Sequence, residues 1–453
     1  MVHKFLLLSF FLSPMTLFAQ LPNKKSRIAV IGSGIAGLSA AHTLRQQGYQ
    51  NVTIFEKEHH PGGKIKTIYQ NQQPYEVGAD WISREYHTIL KYIAEYDIPI
   101  ANYNASKVVF ADGKEIKLGS YIVKKYGIIP TITSFIKFKS LYQSHRELLN
   151  QPGLHQVTDP QLFMPMNEFV AHHGIEPIAK AVELFMVACG YGYYTTTPAI
   201  YVLEMMDLVV NTGVRDILSD TINIDVWGWQ YFINGYAELS QKMAADLNTK
   251  YLKELVAIRR FAIESTPKVE LTFADGSIDV FDRVIIAFSP KYLQGIMDTD
   301  AEEARIFSRI KSLKYYSTLF KAEGLSKDLW IGLFDDHMTQ HTKGHLLALG
   351  SYPYQDNHYQ ATQFGSHNKD QTLEKVKKDV RSLGGEVTEV VSQNEWDYFF
   401  HVGEADLRNG FFTKFFQLQG RGGVYYVGGP ASMESVEESA KFSVYLVEKF
   451  FPK

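Results

Sequence analysis

An apolar tetrad, Ile28-Ala29-Val30-Ile31, runs straight into Gly32-Ser33-Gly34-Ile35-Ala36-Gly37 and then into the helix-forming stretch Leu38-Ser39-Ala40-Ala41-His42-Thr43-Leu44. Strand, glycine turn and helix in this order leave few folds open. The turn exposes backbone amides at a helix N-terminus, which is a ready cradle for a pyrophosphate. Gly32 permits the tight turn, Gly34 lets a phosphate reach the backbone, and Gly37 lets helix and strand pack closely. A second strand, Val52-Thr53-Ile54-Phe55, ends at Glu56-Lys57, where a carboxylate can accept hydrogen bonds from an adenosine ribose. The glycine pattern alone would equally mark an ordinary tight turn. With the strand before it, the helix behind it and the acid at the next strand end, it predicts a Rossmann-type, dinucleotide-binding α/β unit.

Two further segments narrow the ligand. Pro61-Gly62-Gly63-Lys64 follows the acidic strand end, and Tyr75-Glu76-Val77-Gly78-Ala79-Asp80-Trp81 comes a short loop later. Together they resemble the flavin amine oxidase superfamily. The resemblance returns at Leu255-Val256-Ala257-Ile258, continues through Asp282-Arg283-Val284-Ile285-Ile286-Ala287 and closes at Tyr425-Tyr426-Val427-Gly428-Gly429. It implies FAD wrapped by Glu56, Gly62-Gly63-Lys64 and Gly78-Ala79-Asp80-Trp81, with the backbone of Val256 at the adenine.

A chain of 453 residues exceeds one simple core, so two or three interwoven domains are expected. The formal charge of −3, with no basic block, argues against a nucleic-acid partner. Lys4 precedes an apolar run, Phe5–Phe18, and Ala19 offers a small residue for cleavage. This is the shape of a secretory signal over residues 1–19, so a periplasmic or secreted protein is expected, with membrane contact only if the segment stays uncleaved. Leu17 makes the cleavage site imperfect. Cys189 is the sole cysteine, which excludes an intramolecular disulfide. It lies far in sequence from the C-terminal region where some amine oxidases tether flavin, so FAD is expected to bind non-covalently.

Cofactor segments at both ends and in the middle make the substrate segments insertions. The expected plan is an FAD-binding domain over 27–85, 228–295 and 395–453, a mainly helical insertion over 86–227 and a substrate domain over 296–394. Helical periodicity runs through Tyr86–Tyr96, Ile132–Leu149, Met166–His173, Pro177–Val187 and Pro198–Val210. Ser317–Glu323, Gly344–Tyr352 and Gln360–Phe364 read as strands, followed by a helix at Lys369–Leu383. The overall class is α/β, or α+β counting all parts.

Phe163–Phe169, Gly190-Tyr191-Gly192-Tyr193, Pro198–Leu203, Trp396–Val402 and Gln419-Gly420-Arg421 resemble the bacterial polyunsaturated fatty acid isomerases within that superfamily. The likeness implies hydride exchange between flavin and an unsaturated chain, a small lipophilic substrate of the fatty-acid kind, and Tyr191 and Tyr193 near it. Core packing explains these tyrosines, and Tyr194 and Tyr201, equally well. Three departures stand out. Superfamily members usually carry an acid after the C-terminal glycine, bonded to the ribityl or phosphate part of FAD, where this chain has Gly429-Pro430; the lost contact is worth about 1–3 kcal/mol if nothing replaces it. The two-glycine turn near the flavin reads Asn234-Gly235-Tyr236. The isomerases' arginine-rich strand corresponds to Ala105-Ser106-Lys107, leaving Lys107 as a candidate for a fatty carboxylate or as an exposed strand lysine.

In Met433–Ser439, the helix start at Ser435 and Val436 keeps the form that gives a backbone amide to the flavin carbonyl in that superfamily. His337, His341 and His345 recur every four residues, but no carboxylate or cysteine completes a recognisable set, so no metal is expected. Two other functions stay open: a flavin amine oxidase, for which Lys321 is the support, and a flavin-fold binding protein with a decayed site, suggested by Gly429 and Tyr236.

Overall fold

The computed structural model describes residues 22–102, 107–206, 229–327, 331–354, 356–365 and 368–453; the expected signal segment lies outside them. Five parallel strands form the central sheet, in the order Thr249–Lys250, Asn51–Phe55, Arg27–Ile31, Arg283–Ile286 and Val424–Tyr426. Ile31 stands between Phe55 and Ile286 in register. Ile28–Ile31 is buried on both faces, which is why it reads as an unbroken apolar run rather than an alternating one. The helices Ile35–Gln46 and Val436–Phe450 pack against each other. An antiparallel meander, Leu255–Ile263, Thr266–Phe273 and Ile278–Phe281, packs on this sheet. There the ring of Phe55 meets those of Phe273 and Phe281 at 4.7 and 5.6 Å between centroids.

A second, seven-stranded sheet has the order Glu386–His401, Lys311–Glu323, His358–Phe364, Ala348–Ser351, Ile331–Phe334, Lys107–Ala111 and Lys114–Lys117. Its last two strands come from the stretch expected to be mainly helical. The turn Asp112-Gly113 takes positive φ at both residues, 51° and 69°, the geometry that joins two strands by a tight hairpin. Strand Glu386–His401 is paired with Lys311–Glu323 from end to end, so it crosses the expected division between 394 and 395. Among the described residues, the helices His87–Glu95, Leu118–Tyr126, Ile128–Leu149, Met166–His173 and Glu176–Ala188, with residues 199–206, account for most of the remaining insertion. The molecule is a mixed α/β protein built on the Rossmann-type sheet.

Candidate functional site

Parallel strands deliver their carboxyl ends to one edge of the central sheet, and there the glycine turn opens a cavity of about 950 Å³. The helix Ile35–Gln46 begins at Gly34 with no side-chain cap and no acid in its first turn, so its leading amides are left for a ligand. Gly32, Gly34, Ile35 and Ala36 line the cavity. Gly37 does not; it serves packing, because a Cβ there would fall 2.0 Å from the carbonyl oxygen of Gly32. Gly62 donates its amide to Ser33 at 3.0 Å, which brings the Gly62-Gly63-Lys64 loop across the turn.

Glu56 stands buried at the end of Asn51–Phe55. One carboxylate oxygen accepts from the amide and the hydroxyl of Ser33, both at 2.8 Å, and the other from the amide of Glu58 at 3.0 Å. Lys57 joins it on the wall. Val256 is turned outward and exposed, and the wall at this point is made by its neighbours Lys253, Glu254 and Leu255. At the far side Gly428, Gly429, Ser435 and Val436 border the same cavity. The Ser435 hydroxyl caps the helix Val436–Phe450 by accepting from Glu438.

Gly78, Ala79, Asp80 and Trp81 form one flank. Glu76, beside them, accepts from the Tyr236 amide at 2.7 Å and from the Thr67 hydroxyl at 2.8 Å, so the changed turn Asn234-Gly235-Tyr236 is fastened to the cavity rim. Burial raises Glu76 to about 8 against these two donors. Asp80 touches the cavity yet is ringed by protein, and burial raises it to about 7 although the amides of Asp80 and Trp81 favour its charged form.

Beyond this lies an aromatic compartment. Tyr86, Tyr191, Tyr315 and Tyr398 face it, with Trp81 and Trp229 edge to face at 5.5 Å. Tyr315 stacks on Tyr398 at 5.6 Å and donates to the Ala188 carbonyl; Tyr191 donates to the Glu434 carbonyl at 2.9 Å. Burial pushes the phenols of Tyr191, Tyr315 and Tyr398 well above the ordinary tyrosine range, so they stay protonated. Tyr193 packs against Phe364 off the cavity wall, and Tyr194 and Tyr201 are core residues. Cys189, distant in sequence from every cofactor segment, nevertheless lines the cavity. The backbone of Lys107 lies in its strand, while its side chain is outside the described residues.

Sequence reasoning missed Tyr86, Tyr315 and Glu434 as wall residues. Lys321, the lysine that kept amine oxidation open, is paired with Glu389 at 2.6 Å, away from the wall. His337 and His345 converge with Asp379, their ligand atoms within 4.8 Å, while His341 is exposed on a separate turn. The His345 ring reaches Asp379 at 2.9 Å, Asp379 also accepts from the Leu346 amide, and His337 donates to the Leu346 carbonyl. The cluster clamps a loop to the helix Lys369–Ser382.

Among solved structures, a CLA-producing fatty acid isomerase from P. acnes superposes with a TM-score of 0.86 at 23% identity, covering 95% of this chain and all 100% of that one. Putrescine oxidase bound to putrescine superposes at 0.66 and 13% identity, over 95% and 99% of the two chains. Both likenesses are of fold. Among curated proteins, an uncharacterised protein of Acanthamoeba polyphaga mimivirus is 25% identical over 331 residues, 66% of this chain and 65% of its own length. A polyenoic fatty acid isomerase of Ptilota filicina is 27% identical over 202 residues, 38% of this chain and 39% of the relative. An L-amino-acid oxidase of Crotalus adamanteus is 25% identical over 211 residues, 46% and 35% respectively. The model of the flavin containing amine oxidoreductases matches residues 35–322, well over half of the sequence, and the chain belongs to that family.

Proposed function

We propose that this family member is an FAD-dependent enzyme that exchanges hydride with an unsaturated, lipid-like substrate, isomerising or dehydrogenating it. The residues fit the cofactor. Uncapped amides after Gly34 suit the pyrophosphate, Glu56 suits the ribose, and the amide at Val436 suits the flavin carbonyl. Bound FAD would supply the hydride acceptor and donor, so a substrate losing hydride at one carbon and regaining it at another leaves as an isomer.

The observation that carries this reading is the wall of neutral rings, Tyr86, Tyr191, Tyr315 and Tyr398, continuous with the cofactor cradle. Phenols held protonated offer no general base. They exclude water and hold an apolar chain in place, which is what a reaction driven by positioning needs. The fatty acid isomerases among the relatives and neighbours agree with it. Export by residues 1–19, non-covalent FAD and a role for Lys107 at a fatty carboxylate belong to the same proposal.

Amine oxidation is the second reading, favoured by Glu76 and Asp80 in an aromatic setting that would attract a cation. Burial raises Glu76 to about 8 and Asp80 to about 7, so near neutral pH Glu76 is mostly protonated and Asp80 about half so, which weakens that attraction. Anaerobic mixing of the flavin-loaded protein with polyunsaturated fatty acids should bleach the flavin transiently and shift diene absorbance, with no stoichiometric peroxide in a parallel aerobic run, if the chain is isomerised, and bleach it lastingly if the chain is dehydrogenated. Reduction by primary or secondary amines with peroxide release, and silence with the fatty acids, would reverse the assignment.

A further inference from the structure

FAD is a linear molecule, and on the flavin assignment its parts would meet the cavity wall in order. Glu56 would take the ribose end and the amides after Gly34 the pyrophosphate. A Cβ on Gly428 would meet that of Ala36 at 3.5 Å, so the Gly428-Gly429 loop runs beside the phosphate turn. Ser435 and Val436, at the start of the helix Val436–Phe450, would stand at the flavin end. Between them, over Gly429, lies the side chain of Glu434. A Cβ on Gly429 would come within 2.9 and 3.0 Å of Glu434 Cβ and Cγ, so the absence of a side chain at 429 is what makes room for it.

Glu434 is held with care. Its carboxylate is buried, pairs with Lys64 and accepts from the amide of Phe400 at 2.5 Å. That amide follows Phe399, whose φ of 54° is a left-handed conformation a bulky aromatic rarely adopts. Lys64 in turn lies 4.5 Å from the Phe400 ring centroid. Each carboxylate oxygen keeps a further lone pair, and a carboxylate can only accept, so its remaining partner must be a donor.

We propose that Glu434, with Lys64 as its counter-ion, is the acidic ligand of the cofactor's polyol chain, reaching over Gly429 to accept from its hydroxyls. The proposal rests on the flavin assignment. It also accounts for Gly429, because one carboxylate entering from position 434 replaces one that would otherwise enter from position 429.

The test titrates apoprotein with FAD, by quenching of flavin fluorescence, and with ADP, which carries the ribose and pyrophosphate but no polyol. Glu434→Ala and Glu434→Gln should each weaken FAD about 10- to 100-fold, the worth of a hydrogen bond to a charged group, and leave ADP within about 2-fold. Gly429→Glu alone should weaken FAD through collision with Glu434. The double variant Gly429→Glu, Glu434→Gly, which removes the Cβ and Cγ that a side chain at 429 would strike, should recover FAD affinity to within about 5-fold of the parent. Unchanged FAD affinity in both Glu434 variants, equal loss of ADP and FAD, or a double variant no better than Glu434→Ala would each overturn the proposal. A parent protein that binds ADP but not FAD would instead remove the flavin reading itself.

Discussion

Glu56 and Ser33 are bound twice over, amide and hydroxyl of the serine both donating to one carboxylate oxygen at 2.8 Å. The acid that would hold the ribose thus also sets the entry to the phosphate turn. Glu56→Ala should therefore weaken FAD by about 10- to 100-fold, losing charge-assisted contacts to both protein and ligand. Flavin content after desalting and a fluorescence titration check it, and affinity within 2-fold of the parent would show that Glu56 does not contact the cofactor.

Two glycines of the turn should fail in different ways. A Cβ at Gly34 makes only ordinary contacts, at 3.9 Å, with Gly62 and Gly63 on the cavity wall. Gly34→Val should fold, with a thermal midpoint near that of the parent apoprotein, and bind no FAD. A Cβ at Gly37 would strike the Gly32 carbonyl, so Gly37→Val should not give folded protein. Circular dichroism with flavin absorbance separates the outcomes, and a flavin-replete Gly34→Val protein would refute the cradle.

Glu76 and Asp80 make the apoprotein's stability depend on pH. Burial raises them to about 8 and about 7, above their unfolded values, so between those limits the folded state holds protons that the unfolded chain has released. Stability contributed by these protons is complete below about pH 4, falls as pH rises through 7 and 8, and levels off above. Glu76→Gln, keeping the amide and hydroxyl partners in reach, should flatten the upper part of this slope. Denaturant midpoints from pH 5 to 9 measure it, and an unchanged slope in the variant would exclude Glu76 as a source.

Acid precipitation should release all flavin into the supernatant. Cys189 is the sole cysteine and borders the cavity, so a coloured pellet would point to a thioether and to Cys189→Ser as the decisive variant.

The phosphate cradle was legible because it is local: strand, turn, helix and the acid at the next strand end are set by residues close in sequence, and the glycines report steric demands directly. Helices over 166–173 and 369–382 were likewise written in their apolar spacing. The aromatic compartment was not. Tyr191 and Tyr193 are two residues apart with the same chemistry, yet the first faces the cavity and the second packs against Phe364. Tyr315 meets Tyr398 through the pairing of two long strands, a register no local pattern states. The hairpin at Asp112-Gly113 did carry a signal, the dipeptide itself, overridden by the helical character of the flanking chain.

Strand Arg283–Ile286 has Arg27–Ile31 on one side and Val424–Tyr426 on the other, and the helix that follows Val424–Tyr426 packs on Ile35–Gln46. Translation delivers these partners at opposite ends of its timetable. Until the last of them leaves the ribosome, the nascent chain has an open sheet edge that invites pairing with other chains, and its cofactor wall lacks Gly428, Gly429, Glu434, Ser435 and Val436. Cofactor capture is thus a closing event of biogenesis, and a chain stopped short of Val424 would be a candidate for aggregation or proteolysis rather than a smaller flavoprotein.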